Sequence, residues 1–565
     1  MMHTVAVGFA KNEDASYDLL VYIDEGEPFT EFAGELTQNW KIWLKSKKIR
    51  TVKFVVAGAL LFSIPFSQVI AKGPRYAMSY IYFGSYAQQM EYISLAQDTL
   101  SVVSPSYFDL NADGSLKLNG ITQSYVDAVH QKGIRVVPFL SNHWDRASGV
   151  AALNRVEDLA TEIAGAVQQY NLDGVNVDIE NVTHNQREQY TALVRRLREI
   201  LPRDKEVSVA VAANPNGWTT GWHGSYDYKE LGKVADHLFL MTYDEHYQGG
   251  EAGPVASLGF VEDSVSYALR YVESGKIVLG IPFFGRIWSG DGSVAGLGIS
   301  NNRVETILRD YGAVVSYDTQ ARSPKAEFTL HEGDSLTVTG TKLPPGRYTI
   351  WFENSSSIKE KLALVDKYNL KGAGNWSSGQ ETREVWEYYD LWLNGKYFED
   401  IYHHFAKDDI IKVVKKKYMV GTTNTTFSPD EGLTRAQAAV ILSRVLGLEE
   451  GSDAPLFSDT GGHWAQEQIA AVAQAGYLAG YPDGSFRPET VMTREEMASL
   501  LARMIQADYT GAPAFSDVSP ERWSYQEITA LAGAGILSGF GDGTFRPEQT
   551  LTRGEMASLL ERIDP

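Results

Sequence analysis

Between residues 75 and 392, eight short apolar runs alternate with stretches of helical spacing, and this rhythm restricts the fold more than any other feature of the chain. The runs are MSYIYF (78–83), LSVVSPSYF (100–108), IRVVPFL (134–140), GVNVDIE (174–180), VSVAVAA (207–213), HLFLMTY (237–243), KIVLGIPFF (276–284) and GAGNW (372–376). Between most of them lie helical patterns such as RVEDLATEIAGAVQQY at 155–170. Strands covered by helices on their outer face read as near-continuous apolar runs, because both faces of a parallel sheet are buried. Eight such units predict an α/β fold, a (β/α)8 TIM barrel in preference to an open sheet. The gap between the seventh and eighth runs is long. It contains EFTLHEGDSLTVTGTKLPPGRYTIWFE (327–353), whose alternation predicts a small α+β insertion near the barrel mouth.

The last third of the chain is a repeat. FSPDEGLTRAQ (427–437), FRPETVMTREE (486–496) and FRPEQTLTRGE (545–555) recur, with Pro429, Pro488 and Pro547 each 59 residues apart and Arg435, Arg494 and Arg553 in step with them. Thr434, Thr493 and Thr552 stand three residues before Gln437, Glu496 and Glu555. At that spacing the hydroxyl and the longer side chain cap a helix start reciprocally. Three mainly helical repeats are therefore expected, each a helix, a glycine-rich turn and a capped helix.

The boundaries drawn from these patterns are an N-terminal extension of unassigned role over 1–50, a signal segment over 51–71, a barrel over 72–395, and repeats over 396–450, 455–508 and 513–565. The signal segment rests on Lys45, Lys47, Lys48 and Arg50 ahead of the apolar Phe54–Phe66, followed by small residues up to Ala71. That order describes a signal peptide; an uncleaved anchor and a buried helix are its alternatives. A net charge of −20 argues against a nucleic-acid partner, which needs an excess of Lys and Arg. With no cysteine in the chain, disulfides, thiolate metal sites and cysteine nucleophiles are excluded.

The fourth run carries the chemistry. Side chains alternate along a strand, so Asn176, Asp178 and Glu180 share one face, which in a barrel strand is the interior. Two buried carboxylates two residues apart repel when both are ionised, so the pair tends to retain a proton, and a protonated Glu is what a general acid requires. A solvated acidic strand end or a pair of metal ligands is the alternative, although no further His or carboxylate cluster accompanies them.

Asp173-Gly-Val-Asn-Val-Asp-Ile-Glu180 resembles the DGxDxDxE signature of glycoside hydrolase family 18, the chitinases and related N-acetylglucosaminidases. MTYD (241–244), GIPFFGR (280–286) and Trp376 resemble that family's sixth-, seventh- and eighth-strand motifs. The resemblance implies a retaining mechanism in which the substrate's own acetamido oxygen is the nucleophile. Glu180 would be the acid, Asp178 would hold the acetamido N–H, Tyr243 would donate to the acetamido oxygen, and Trp376 would floor the pocket with Asp244, Met241 and Asn176 around it; Tyr80 is either a further pocket residue or a core aromatic. Asn176 departs from the family pattern, which has an acid there. With YFDLNADGSL (107–116) and NWSSGQ (375–380), it looks more like the bacterial wall-lytic and spore-cortex members, so peptidoglycan or another GlcNAc-containing wall glycan is the expected substrate and chitin the alternative.

The repeats resemble S-layer homology domains, which bind secondary cell-wall polysaccharide. By that resemblance Arg435, Arg494 and Arg553 are expected contacts, with Asp400, Asp459, Asp517, His463, Trp464 and Trp523. The other reading places the arginines in ordinary surface ion pairs. In the first repeat Asn424 and Thr425 stand where the second has Asp483 and Gly484, which puts its pocket in doubt. The whole is expected to be a secreted, monomeric enzyme of the bacterial cell surface, with no cofactor. A non-catalytic sugar-binding protein and a purely structural S-layer protein are the competing readings.

Overall fold

The computed structural model describes residues 75–563 apart from 97–98, 402, 449–455 and 506–514, and, as backbone strands only, 6–11, 17–23, 49–56 and 59–65. These N-terminal strands form one sheet in chain order. Within the expected signal segment, Ile49–Val56 and Ala59–Pro65 pair as antiparallel strands. Among the described residues no helix is long and apolar enough to cross a membrane. The rest of the segment lies outside the described residues. The remaining described residues fall into two compact units. One holds 75–433 with the helices Tyr525–Gly533 and Arg553–Ile563; the other includes the helices Arg435–Val445 and Gln466–Gln474.

The eight apolar runs build one parallel sheet. Tyr76–Ile81 lies between Val102–Pro105 and Gly372–Trp376, and the order continues through Ile277–Pro282, His237–Met241, Glu206–Ala212 and Gly174–Asp178 to Phe139–Ser141. An antiparallel hairpin, Phe108–Leu110 with Leu116–Leu118, extends the Phe139–Ser141 side. A closed ring of ladders was the expectation; the observed ladder is interrupted in the third run, between Arg135–Val136 and Phe139–Ser141. Pro138 stands in the break and has no N–H to give. On either side of it, Val137 N–H donates to Val103 O (2.9 Å) and Asn176 N–H to Pro138 O (2.9 Å).

Strand parity sorts the side chains as the alternation requires. Val175, Val177 and Ile179 pack into the apolar layer beneath the helices, with Ile163, Val167, Leu193 and Leu197 of the helices Val156–Gln169 and Arg187–Ile200. Met78, Tyr80, Phe139, Phe239 and Val278 form a separate cluster on the other face. Burial of this kind contributes about 25 cal/mol per Å² of apolar surface, which is why the two layers hold the strands in register. The fourth strand begins on Gly174 at φ 145°, where a Cβ would lie 2.1 Å from Glu206 O, so only glycine permits this start.

Between Ile277–Pro282 and Gly372–Trp376 the chain makes a second, antiparallel sheet, in the order Leu297–Ser300, Phe284–Ser289, Gly346–Trp351, Ser323–Leu330 and Val314–Asp318. It has its own apolar core, which includes Ile287, Val304, Phe328 and Ile350. It begins at Phe284, so GIPFFGR belongs to two sheets at once.

Each repeat contributes helices in pairs. Thr434 and Gln437 cap each other across Arg435–Val445, and Thr552 and Glu555 do so at the third repeat, an arrangement that contributes about 1 kcal/mol per helix start.

Candidate active site

Six of the residues singled out from the sequence line one cleft of about 510 Å³: Asp178, Glu180, Met241, Tyr243, Asp244 and Trp376. They converge because Gly174–Asp178, His237–Met241 and Gly372–Trp376 are parallel members of one sheet and end on the same side. Asn176 and Tyr80 lie beneath, fully buried, with the Tyr80 hydroxyl donating to Asn176 Oδ1 at 2.8 Å. Asn176 Nδ2 donates to Ser208 Oγ (2.9 Å), and Ser208 donates to Glu206 Oε1 (3.0 Å). The amide is thus oriented by its neighbours, with a neutral group where the family pattern has an acid.

Asp178 is buried and its Oδ1 has no hydrogen-bond partner. Burial alone pushes its carboxyl well above the usual carboxylate range. Glu180 is raised too, first by burial and then by the negative charge of Asp178 and Asp244. Two raised carboxyls whose charges oppose each other hold a proton jointly, as a pair. Burial, with the charges of Asp178, Glu180 and Asp244, keeps the Tyr243 phenol protonated, so it faces the cleft as a donor. Asp244 sits at φ 59° and takes two contacts from Arg286, Nε at 2.8 Å and a terminal nitrogen at 2.7 Å. Burial raises its carboxyl and Arg286 opposes that.

The acid's backbone is clamped by a residue that motif reading passed over. Asn142 accepts from Glu180 N–H and donates to Glu180 O, both at 2.8 Å. Next to it, His143 and Trp144 both have left-handed backbones, at φ 46° and 65°. Phe83, Phe284, Arg286, Gly298 and Thr339 also line the cleft. Arg286 stands inside the quoted GIPFFGR motif; Gly298 and Thr339 carried no local signal. Asp173 lies away from the cleft, accepting from Val136 N–H (2.8 Å) and contacting His130 Nε2 (2.7 Å), a supporting position. Among the described residues no group of three His, Cys, Asp or Glu side chains is arranged to hold a metal ion.

In the repeats the expected contacts divide into two sets. Arg435, Arg494 and Arg553 are 6, 8 and 5 % exposed. Each donates Nε to a phenylalanine carbonyl of another repeat, Phe486 (2.9 Å), Phe545 (2.9 Å) and Phe427 (3.0 Å), and a terminal nitrogen to a second carbonyl. Each guanidinium also lies over that phenylalanine's ring. Asp400, Asp459 and Asp517 accept backbone N–H groups of the turns, such as Phe486 and Arg487, both at 2.7 Å. His463 contacts Glu489 at 2.8 Å. The arginines brace the repeats from inside, and the aspartates brace the turns at the surface. The exposed aromatic set is Trp464 and Trp523, at 62 and 59 %, joined by Phe405 at 74 %, which occupies the same place in the 59-residue step and was missed for want of a tryptophan.

The family described as glycosyl hydrolases family 18 matches residues 78–381, and the S-layer homology domain matches 397–439, 456–498 and 514–557. The chain is 28% identical over 233 residues to the cortical fragment-lytic enzyme of Bacillus subtilis, covering 40% of this chain and 51% of that one. It is 35% identical over 176 residues to the S-layer protein sap of Bacillus anthracis, covering 30% of this chain and 21% of that one. It spans about half the length of the curated glycosylase relatives it matches. A crystal structure of a chitinase from Chromobacterium violaceum superposes with a TM-score of 0.50 at 23% identity, covering 57% of this chain and 98% of that one. The Bacillus cereus spore cortex-lytic enzyme SleL does so with a TM-score of 0.50 at 18% identity, covering 66% and 85%. At these identities the likeness is one of fold.

Proposed function

Because the chain belongs to glycosyl hydrolases family 18, we propose that it cleaves β-1,4 linkages of N-acetylglucosamine-containing polymers with retention, by substrate-assisted catalysis. The observation that carries this reading is the pairing of Glu180 and Asp178, both held toward their protonated forms, in a cleft with the Tyr243 donor and the flat face of Trp376. Glu180 gives its proton to the glycosidic oxygen. The acetamido oxygen attacks the anomeric carbon, and water then opens the oxazolinium intermediate on the same face. Asp178, with an Oδ1 that no protein group satisfies, accepts the acetamido N–H, and Tyr243 donates to the acetamido oxygen. Trp376 presents a ring face to the sugar.

The sheet reads as a (β/α)8 barrel cut at Pro138, supported by the two backbone bonds that continue pairing on either side of it. Peptidoglycan or a related wall glycan is the favoured substrate. The supports are Asn176 at a position where the family pattern has an acid, and S-layer homology repeats that associate the chain with the cell surface. Chitin is the alternative. We read the repeats as the anchor to secondary wall polysaccharide. Trp464 and Trp523 are its exposed contacts, while Arg494 lines a hollow of about 260 Å³ with Phe405, Phe540 and Glu555. The test is the Glu180→Gln variant, read by release of reducing ends from purified peptidoglycan and from chitin oligomers. Undiminished release ends the hydrolase reading and leaves a sugar-binding or structural protein. The substrate preference follows from comparing the two polymers with the native chain.

A further inference from the structure

Beneath the cleft, the inner face of the sheet carries a buried row of hydrogen bonds that the catalytic roles leave unexplained. Ser208 has the strand parity of Ala210, which packs with Tyr80 and Phe239 on that face, and it lies directly beside Asn176 in the ladder. The Tyr80 hydroxyl donates to Asn176 Oδ1 (2.8 Å), Asn176 Nδ2 donates to Ser208 Oγ (2.9 Å), and Ser208 donates to Glu206 Oε1 (3.0 Å). Tyr76 donates to the same oxygen at 3.0 Å, and Arg135 donates to Glu206 Oε2 at 2.7 Å. The row thus runs from beneath Asp178 to a fully bonded acid at the start of the fifth strand, and all four of its members are buried.

The direction of these bonds follows from Glu206. Burial pushes its carboxyl up, and His237, Arg135, Tyr76 and Lys371 around it more than offset that, so it stands as a carboxylate. His237, whose Nε2 lies 3.7 Å from Oε1, is driven down to about 4 by burial, and Asp236 and Lys371 act on it as well. Arg135 is therefore the positive charge that matches Glu206 at neutral pH. A carboxylate only accepts, and it takes the one hydrogen that Ser208 has. Toward Asn176 the serine oxygen can then only accept, so the amide presents its NH₂ to Ser208 and its oxygen to Tyr80. Tyr80 spends its single hydrogen on that oxygen. Burial and then the charge of Asp178 keep the Tyr80 phenol protonated, so without Asn176 that hydrogen would serve the Asp178 carboxylate. Its commitment elsewhere accounts for an Asp178 Oδ1 that no protein group satisfies. The other titratable groups that feel Asp178 are Glu180, Tyr190, Tyr226 and Tyr243, and none of them belongs to the row.

We propose that Glu206 is a positioning residue for the catalytic pair: acting through Ser208 and Asn176, it fixes the Tyr80 hydrogen on the Asn176 oxygen and keeps Asp178 open for the substrate. The negative charge that the family pattern places at 176 stands here one serine further from Asp178, where it orients the amide without repelling the pair at close range. The inference rests on the hydrolase reading of Glu180 and Asp178. On the acid side, activity is lost when that pair takes its second proton, and a donor turned onto Asp178 resists the protonation.

The test is the pH profile of kcat/KM for the full chain on the GlcNAc polymer it cleaves. In Glu206→Gln the new amide can donate to Ser208, which turns the serine hydrogen toward Asn176, reverses that amide and frees the Tyr80 hydrogen for Asp178. The acid limb is expected to move down by about one pH unit, the worth of one hydrogen bond to a carboxylate. Ser208→Ala removes the acceptor that holds the amide and leaves the Arg135–Glu206 pair intact, so it carries the decision if Glu206→Gln does not fold; its limb is expected to move down by about half a unit. In a Tyr80→Phe background neither substitution is expected to move the limb, because no hydroxyl is left to turn. A limb that stays in place in both variants, or a shift that survives Tyr80→Phe and so acts through space alone, overturns the proposal. The Asp178 carboxyl is also titrated directly, by carbon-13 NMR of the aspartate-labelled chain with the signal assigned by Asp178→Asn. A native chain that hydrolyses nothing, with this titration still displaced in Glu206→Gln only while Tyr80 is present, overturns the hydrolase reading and leaves the positioning role of Glu206 standing.

Discussion

The catalytic cleft and the repeats both bury charged side chains, and they treat them in opposite ways. In the repeats, each buried arginine has carbonyl oxygens within reach of its donors. In the cleft, Asp178 keeps an oxygen with no partner, and Glu180 faces two other acids. A buried charge that is fully bonded serves the fold, because desolvation is offset by its partners; one left unmatched awaits a substrate. Buried charges are thus matched by carbonyl partners in one place and left unmatched in the other.

The largest expected effect that tests this contrast is on turnover. Glu180→Gln is expected to lower kcat by about 10³-fold on whichever GlcNAc polymer the native chain cleaves, measured by reducing-end release. Tyr243→Phe, which deletes one donor facing the cleft, is expected to lower kcat by about 10²-fold with the fold unchanged. In the repeats the order of effects reverses. Arg494→Ala is expected to cost about 3 kcal/mol of stability by denaturant titration, since it orphans the carbonyls of Phe545 and Ser538 and the buried side of Glu555. Trp523→Ala is expected to change stability by less than about 0.5 kcal/mol, yet to reduce pelleting of the full chain with purified cell walls. A large stability loss at Trp523 and none at Arg494 would invert the assignment.

The smallest effect concerns pH. The Glu180 carboxyl is raised in the folded chain, so the folded state binds that proton more tightly than the unfolded one. The stability this contributes is complete below the ordinary glutamate value and is lost as pH rises through the raised value. Glu180→Gln removes this titration. The variant is therefore expected to melt higher than the native chain at neutral and alkaline pH, with the gap closing toward about pH 4, read as Tm across a pH series. A gap that widens on acidification would show that the carboxylate, rather than the acid, is the favoured form.

Much of the cleft was legible because its signals are local. Strand parity alone places Asn176, Asp178 and Glu180 on one face, and Tyr243 and Trp376 close other strands of the same sheet. The Asn142 clamp was not legible, because it joins side chain and backbone 38 residues apart through a fold in which two neighbouring strands run in register. Gly298 and Thr339 reach the cleft from the second sheet, whose position over the mouth no periodicity encodes. The arginines of the repeats show the reverse failure. Their 59-residue step is plain in the sequence, but a repeated arginine reads the same whether its guanidinium meets a ligand or a carbonyl.

The sequence by itself determined the α/β alternation, the three repeats with their capped helix starts, and the acids that meet in the cleft, since each depends on periodicity or on spacing within a few residues. Only the tertiary structure decided which charges are matched. It sent Arg435, Arg494 and Arg553 inward, left Asp178 Oδ1 open and broke the ladder at Pro138. Whether a polar group is satisfied depends on partners brought from elsewhere in the chain, and no local pattern carries that information.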